Sequence, residues 1–186
     1  MQKLGTVTLE TKRLILRRFT PDDAEEMYRN WASDPEVTRF LTWPCHSSPE
    51  ASRAILVEWA AQYADGGVFQ WAIVPKVSPQ VIGSIAAVKL DEEICSAEIG
   101  YCLGKAYWGQ GLMPEALTAV MRFLFFDVGM NRIAACHDVN NPKSGRVMEK
   151  AGMKYEGTLR QAGRNNQGIC DLVVRAALRS EWTIPE

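Results

Sequence analysis

Gly109 and Gly111, one residue apart, sit where an alternating, strand-like run gives way to a helical one, and no other feature of the chain restricts its fold so much. In Tyr107-Trp108-Gly109-Gln110-Gly111-Leu112-Met113-Pro114-Glu115-Ala116, a proline falls in what reads as a first helical turn, and apolar residues recur at helical spacing to Val128. That describes a tight loop feeding a helix N-terminus. The first turn of a helix leaves N–H groups unpartnered, the helix dipole adds partial positive charge there, and glycines let a phosphate come close to the backbone. The same ten residues also fit a plain helix start after a turn. Two other phosphate loops fail on the letters. A dinucleotide fingerprint needs a third glycine where Pro114 stands, and Gly104-Lys105 is followed by Ala106 rather than by a hydroxyl residue for magnesium.

The segments on either side give this junction its setting. Leu14 to Phe19 reads as a strand. Thr20-Pro21-Asp22-Asp23, Asp34-Pro35-Glu36 and Ser48-Pro49-Glu50 each offer an N-cap, a proline at the first helical position and an acidic first turn, predicting helices that stop before Gly66-Gly67. The period then changes. Phe69, Trp71 and Ile73 alternate, and Val81 to Leu90 and Cys95 to Leu103 read as further strands, so the middle of the chain is an antiparallel meander. After the glycine loop, Met113, Ala116, Leu117, Val120, Met121, Leu124, Phe125 and Val128 form a core-facing helical stripe closed by Gly129. Arg132 to Cys136 is a short strand, and Asn141-Pro142-Lys143-Ser144 starts a helix that ends at Gly152. Met153 to Leu159 reads as a strand, Arg160 to Gly168 as a polar loop, and Ile169 to Ala177 as the last strand. With no repeat, low-complexity tract or linker, the expectation is one domain over residues 1–186.

Composition removes several function classes. A net charge of −1 offers no broad basic surface for sequence-independent nucleic-acid binding. The five cysteines, Cys45, Cys95, Cys102, Cys136 and Cys170, are scattered and form no Cys-x-x-Cys pair, which argues for reduced thiols in a cytoplasmic protein and against a disulfide framework or zinc site. His46 and His137 have no second-ligand spacing around them, so no metal is expected. No apolar run reaches the length of a membrane span, and the N-terminus lacks the apolar stretch of a secretory signal.

The run Ala97-Glu98-Ile99-Gly100-Tyr101 through Trp108-Gly109-Gln110-Gly111, followed by Asn141-Pro142-Lys143-Ser144 through Glu149-Lys150-Ala151-Gly152, resembles the acyl-CoA binding core of the GNAT acetyltransferases. Glu10-Thr11-Lys12-Arg13-Leu14-Ile15-Leu16-Arg17 and the closing Glu181-Trp182 look like the branch that contains the ribosomal-protein N-terminal (alanine) acetyltransferases. The resemblance implies an α+β fold in three layers: a mixed, mainly antiparallel sheet whose two central parallel strands splay apart, with helices on both sides and pantetheine in the opening. It implies acetyl-CoA as cosubstrate and no metal. Carried over residue by residue, the backbone of Leu103 pairs with the pantetheine arm, amides of Trp108, Gly109, Gln110, Gly111, Leu112 and Met113 hold the pyrophosphate, and the Asn141 side chain meets the pantetheine.

The chain also departs from that pattern. The loop of the family usually opens with Gln or Arg where Ala106 stands. Many members carry a tyrosine seven residues after the motif asparagine as general acid, and here that position is Met148; the narrower branch can use a serine three residues after the asparagine, which Ser144 matches. Ser144 is equally readable as a helix-start hydroxyl. A glutamate described for the branch falls on Gly163, which leaves Glu98 as the candidate base or, on the plainer reading, a structural strand residue. The implied reaction is direct attack of an amine on the acetyl thioester. An α-amino group with pKa about 7.7–8.0 is roughly one-seventh neutral at pH 7, whereas lysine near 10.4 is neutral well under one part in a thousand. Selecting the neutral amine therefore costs about 1 kcal/mol for an N-terminus and over about 4 for lysine. The expected acceptor is the N-terminal α-amino group of a protein, approached past Asp91, Glu92, Glu93 and Glu98, by a monomer or homodimer. The alternatives are a small amine, an amino sugar or an antibiotic as acceptor, or a non-catalytic acyl-CoA-binding module.

Overall fold

Alternation along one strand divides the structure into layers. In the computed structural model, which describes residues 1–185, Trp71 and Ile73 of strand β3 (Gln70–Pro75) enter one core, and Ala72 and Val74 enter another on the opposite face. The first core is completed by the stripe on α4 (Leu112–Phe123) and by Met148 of α5 (Pro142–Lys150). The second holds Ala24 and Met27 of α1 (Ala24–Met27), Val37 of α2 (Pro35–Thr38) and Leu56 of α3 (Pro49–Gln62). Helices therefore cover both faces of the sheet, the three-layer α+β arrangement expected. No helix among the described residues is long and apolar enough to cross a membrane.

The remaining strands are β1 (Leu9–Glu10), β2 (Leu14–Arg17), β4 (Gly83–Asp91), β5 (Ser96–Leu103), β6 (Arg132–Asp138), β7 (Lys154–Asn165) and β8 (Gly168–Leu178). Their order in the sheet is β1-β2-β3-β4-β5-β6-β8-β7, antiparallel throughout except between β5 and β6. The proline-led helix starts are capped as their sequences imply. Asp34 Oδ1 accepts from the Glu36 N–H at 2.8 Å, Ser48 Oγ from Ala51 N–H at 3.3 Å, and Asp23 Oδ2 from Thr20 N–H at 2.8 Å. The helix after the glycine loop is regular to Phe123 and widens into a π turn over Leu124–Val128 before Gly129 closes it.

One strand comes unannounced, and one expectation needs correction. The two-residue strand β1 pairs with β2 without any apolar alternation to announce it. Arg160 to Gly168 is not a loop: β7 continues through it to Asn165, and the hairpin turns only at Asn166-Gln167. A bulge between Leu159 and Gly163 absorbs the polar, glycine-containing run, with Gln161 at φ 51° and its N–H donated to Asp171 Oδ1 at 2.8 Å. At the hairpin tip, Asn166 donates its N–H to Leu41 O and its side-chain amide to Thr38 O and Trp43 O, tying the tip to the segment after α2.

The C-terminal Trp182 is buried against Phe125, with ring centroids 5.4 Å apart, and donates Nε1–H to Ala151 O at 2.8 Å. It joins the end of α5 to the π turn. Trp182→Ala leaves a cavity and an unpaired carbonyl there, and should cost about 3–5 kcal/mol of stability, read as a lower denaturation midpoint at unchanged m-value.

Candidate active site

β5 and β6 pair over Ser96–Arg132, Ala97–Ile133 and Glu98–Ala134, and no further. Beyond them the strands part, each still held by its outer neighbour. The hydrogen-bond phase of an antiparallel ladder shows which backbone groups are left facing the gap. Gly104 N–H donates to Ile82 O, so the groups of Gly104, Cys102 and Gly100 point to β4, and those of Leu103 and Tyr101 point into the opening. On β6, Val139 N–H donates to Asp171 O and Arg179 N–H to Asn131 O, which turns the groups of Cys136 to the same gap, while the Asp138 carbonyl accepts from Asn141 N–H. The Leu103 carbonyl already accepts the Trp108 indole N–H at 2.7 Å, leaving the Leu103 N–H and the second lone pair. Trp108 itself packs against both cores and has the Lys143 ammonium 5.2 Å from its ring centroid.

The glycine loop ends beside the opening. Gly109 and Gly111 have φ of 77° and 74°, left-handed conformations that side-chain-bearing residues rarely adopt, and nothing lies within 4 Å of where a Gly109 Cβ would be. Among the described residues, the amides of Gly109, Gln110, Gly111, Leu112 and Met113 have no hydrogen-bond partner, while the Trp108 N–H is taken by Lys105 O. The opening of β2 braces this cradle. Arg13 donates Nη1–H to Gln110 O at 2.8 Å and Nε–H to Glu115 Oε2 at 2.7 Å, and Glu115 Oε1 accepts from Thr11 Oγ1 and from Arg13 N–H. Burial opposes ionisation of Glu115, but the hydrogen bonds from Thr11 and Arg13 outweigh it and hold the carboxyl below its ordinary value.

The candidate acid and base lie on opposite sides of β5. Side chains alternate across a strand, so Tyr101 shares the face of Ile99 and α4, and Glu98 shares that of Cys102 and the early helices. Ser144, in the first turn of α5, sits against the Tyr101 phenol, whose Oη is 3.0 Å from both Ser144 Oγ and Ser144 O. Asn141 caps α5, its Oδ1 accepting from Ser144 N–H at 3.4 Å, which leaves its Nδ2–H₂ for another partner. Across the strand, burial and then the Glu98 charge push the Cys136 thiol up to about 11. Cys136 is thus protonated near neutrality, a poor acyl carrier. His137 is on the other face of β6, its ring against Gly145, so the two form no nucleophile–base pair. Met148 is buried, and a side chain at Gly163 would collide with Leu172, its Cβ within 2.7 Å of Cγ. The expected approach past Asp91, Glu92 and Glu93 does not hold: Asp91 ends β4, paired with Ser96, and Glu92 and Glu93 lie in the turn before β5, at the end of β5 away from the opening.

Residues 13–154 match the acetyltransferase (GNAT) domain family. The chain belongs to the GNAT acetyltransferases. It is 34% identical over 153 residues to the uncharacterized N-acetyltransferase YoaA of Bacillus subtilis (strain 168), covering 82% of this chain and 86% of that one. It is 25% identical over 187 residues to the [ribosomal protein uS5]-alanine N-acetyltransferase of Escherichia coli (strain K12), covering 95% and 93%. The microcin C7 self-immunity acetyltransferase MccE, solved with acetyl-CoA and AMP, superposes with a TM-score of 0.80 at 20% identity, covering 90% of this chain and 93% of that one, a likeness of fold.

As a GNAT N-acetyltransferase the protein uses acetyl-CoA, and the residues present fit it. Five unpartnered amides at a helix start suit a diphosphate, the Arg13 guanidinium adds positive charge, and the exposed edge of β5 can pair with an amide-bearing arm. Gly109, Gln110, Gly111, Leu112 and Met113 would hold the diphosphate, and Leu103 and Asn141 the pantetheine. Bound there, acetyl-CoA supplies an activated acetyl group. The Arg13–Glu115 brace and Tyr101 carry no signal as site residues in the chain: Arg13 and Glu115 are 102 positions apart and meet only in the fold, and no local spacing announces it. Gly111→Val, forced into a left-handed conformation, should abolish acetyl-CoA binding by calorimetry with the fold retained. Arg13→Ala should weaken it roughly ten- to a hundredfold, the loss expected for charge-assisted hydrogen bonds.

Proposed function

We propose that this GNAT enzyme acetylates the N-terminal α-amino group of a peptide or protein, by direct transfer across the opening between β5 and β6. The observation that carries the proposal is the placement of Glu98 and Ser144 on opposite faces of β5 beside that opening. A carboxylate on one side can receive a proton from the incoming amine, while a hydroxyl on the other donates towards the departing sulfur. In the net reaction a C–N bond forms, a C–S bond breaks, one proton leaves the amine and one is delivered to sulfur. With Cys136 held as the neutral thiol and Met148 buried, neither offers a competing route.

Two arguments favour an N-terminus as acceptor. The likeness to the uS5-alanine enzyme runs over 95% of the chain, and an α-amino group needs about 3 kcal/mol less than lysine to become neutral. The Glu98 face also carries Asp138, a buried carboxylate held by Asn140 and Asn165: burial works against its charge, but hydrogen bonds led by the Asn140 N–H, with Asn165 next, hold its carboxyl below the ordinary value, which keeps negative charge on that side of the sheet.

A short peptide with a free N-terminus should therefore be acetylated there, and a peptide with a blocked N-terminus and a free lysine should not. Mass spectrometry placing the acetyl group on lysine, or turnover only with an amino sugar or polyamine, would overturn the acceptor assignment. Ser144→Ala should lower turnover by roughly 10²–10⁴ with little change in acetyl-CoA affinity; a change confined to affinity would make Ser144 a cofactor contact.

A further inference from the structure

The hydroxyl of Ser144 is not alone. Tyr101 Oη lies 3.0 Å from Ser144 Oγ and 3.0 Å from Ser144 O, and the phenol is anchored on the strand that borders the opening. It has one proton to give. The serine carbonyl can only accept, whereas the serine hydroxyl can accept or donate, so two arrangements satisfy the same heavy-atom positions. In one, Tyr101 donates to the carbonyl and Ser144 donates back to the phenol, turning the serine proton away from the opening. In the other, Tyr101 donates to Ser144 Oγ, and the serine proton is free for a third partner. Exchange between them turns two O–H bonds and moves no heavy atom.

We propose that Tyr101 is the positioning residue for Ser144: by donating to Ser144 Oγ it turns the serine proton into the opening between β5 and β6, towards the sulfur of acetyl-CoA. This rests on the acid role given to Ser144 above. A hydroxyl that accepts one hydrogen bond donates a stronger one, so the phenol also improves the serine as a donor. Tyr101 keeps its proton throughout. Burial drives its pKa well above the ordinary tyrosine value, against a smaller opposing effect of Ser144, so the phenol remains a donor across the working range of pH. The arrangement gives a phenol a part in the site from the strand side, where Met148 on α5 offers none.

The test is a cycle of Tyr101→Phe, Ser144→Ala and the double variant. The aromatic ring is retained in Tyr101→Phe, so packing against α5 is preserved, and a thermal melt checks it. Tyr101→Phe should lower kcat about tenfold or more at unchanged KM for acetyl-CoA, and should cause no further loss once Ser144 is alanine, because the two act as a unit. Ser144→Thr, which keeps a hydroxyl beside the phenol, should retain more activity than Ser144→Ala. A readout without turnover is the affinity of coenzyme A relative to desulfo-coenzyme A, measured by calorimetry as pH is raised. A donor aimed at sulfur favours the thiolate, so the ratio should rise with pH in the wild type and flatten alike in both single variants. Wild-type kcat and wild-type pH dependence in Tyr101→Phe, or a loss that adds in full to that of Ser144→Ala, would overturn the positioning role. If Ser144→Ala itself leaves kcat and the pH dependence untouched, the acid reading fails, and that outcome is distinct from a failure of Tyr101 alone.

Discussion

Three residue pairs hold β5 to β6, and the site depends on there being only three. Continued pairing would bury the N–H and C=O groups of Leu103, Tyr101 and Cys136 in a closed ladder, with no edge for a ligand arm. Complete separation would break the sheet between its two halves. The retained pairs keep Glu98 beside the point of divergence while the outer neighbours, β4 and β8, hold each parted strand straight. An unpaired backbone edge in mid-sheet is costly unless something hydrogen-bonds to it, which makes the gap a binding feature rather than a defect.

The diphosphate cradle is maintained from outside its own sequence. Gly109 and Gly111 permit the loop, but conformational freedom alone does not select one loop geometry. Arg13 and Thr11 do that through Glu115 and the Gln110 carbonyl. Trp108 adds a second restraint by bonding the Leu103 carbonyl and reaching both cores. The loop amides are thus directed before any ligand arrives, the preorganisation that lets weak individual donors act together.

Sequence reading goes furthest where chemistry is local. Proline-led caps, the α4 stripe, the glycine loop and the meander are all legible because each signal lies within a few residues of the element it specifies. It fails over Arg160–Gly168, where polar residues and a glycine suggest a loop, because a bulge pinned by Asp171 keeps the strand going. Glu92 and Glu93 look close to the site in the chain but sit in the turn before β5, at the closed end of the β5–β6 pairing, while the opening lies beyond Glu98. Tyr101 reads as one more apolar position of β5; only the packing of α5 against the sheet brings its hydroxyl to Ser144.

The tether at Asn166 has a consequence for folding order. It joins segments more than 120 residues apart through three hydrogen bonds, two of them from one side-chain amide. Loop closure over such a separation is entropically expensive and tends to come late. The reverse opening of the tip from that segment releases those three bonds. The hairpin tip and the segment after α2 can therefore come apart as a local event while the cofactor cradle stays assembled, and amide hydrogens there should exchange far earlier than those of β4 and β5.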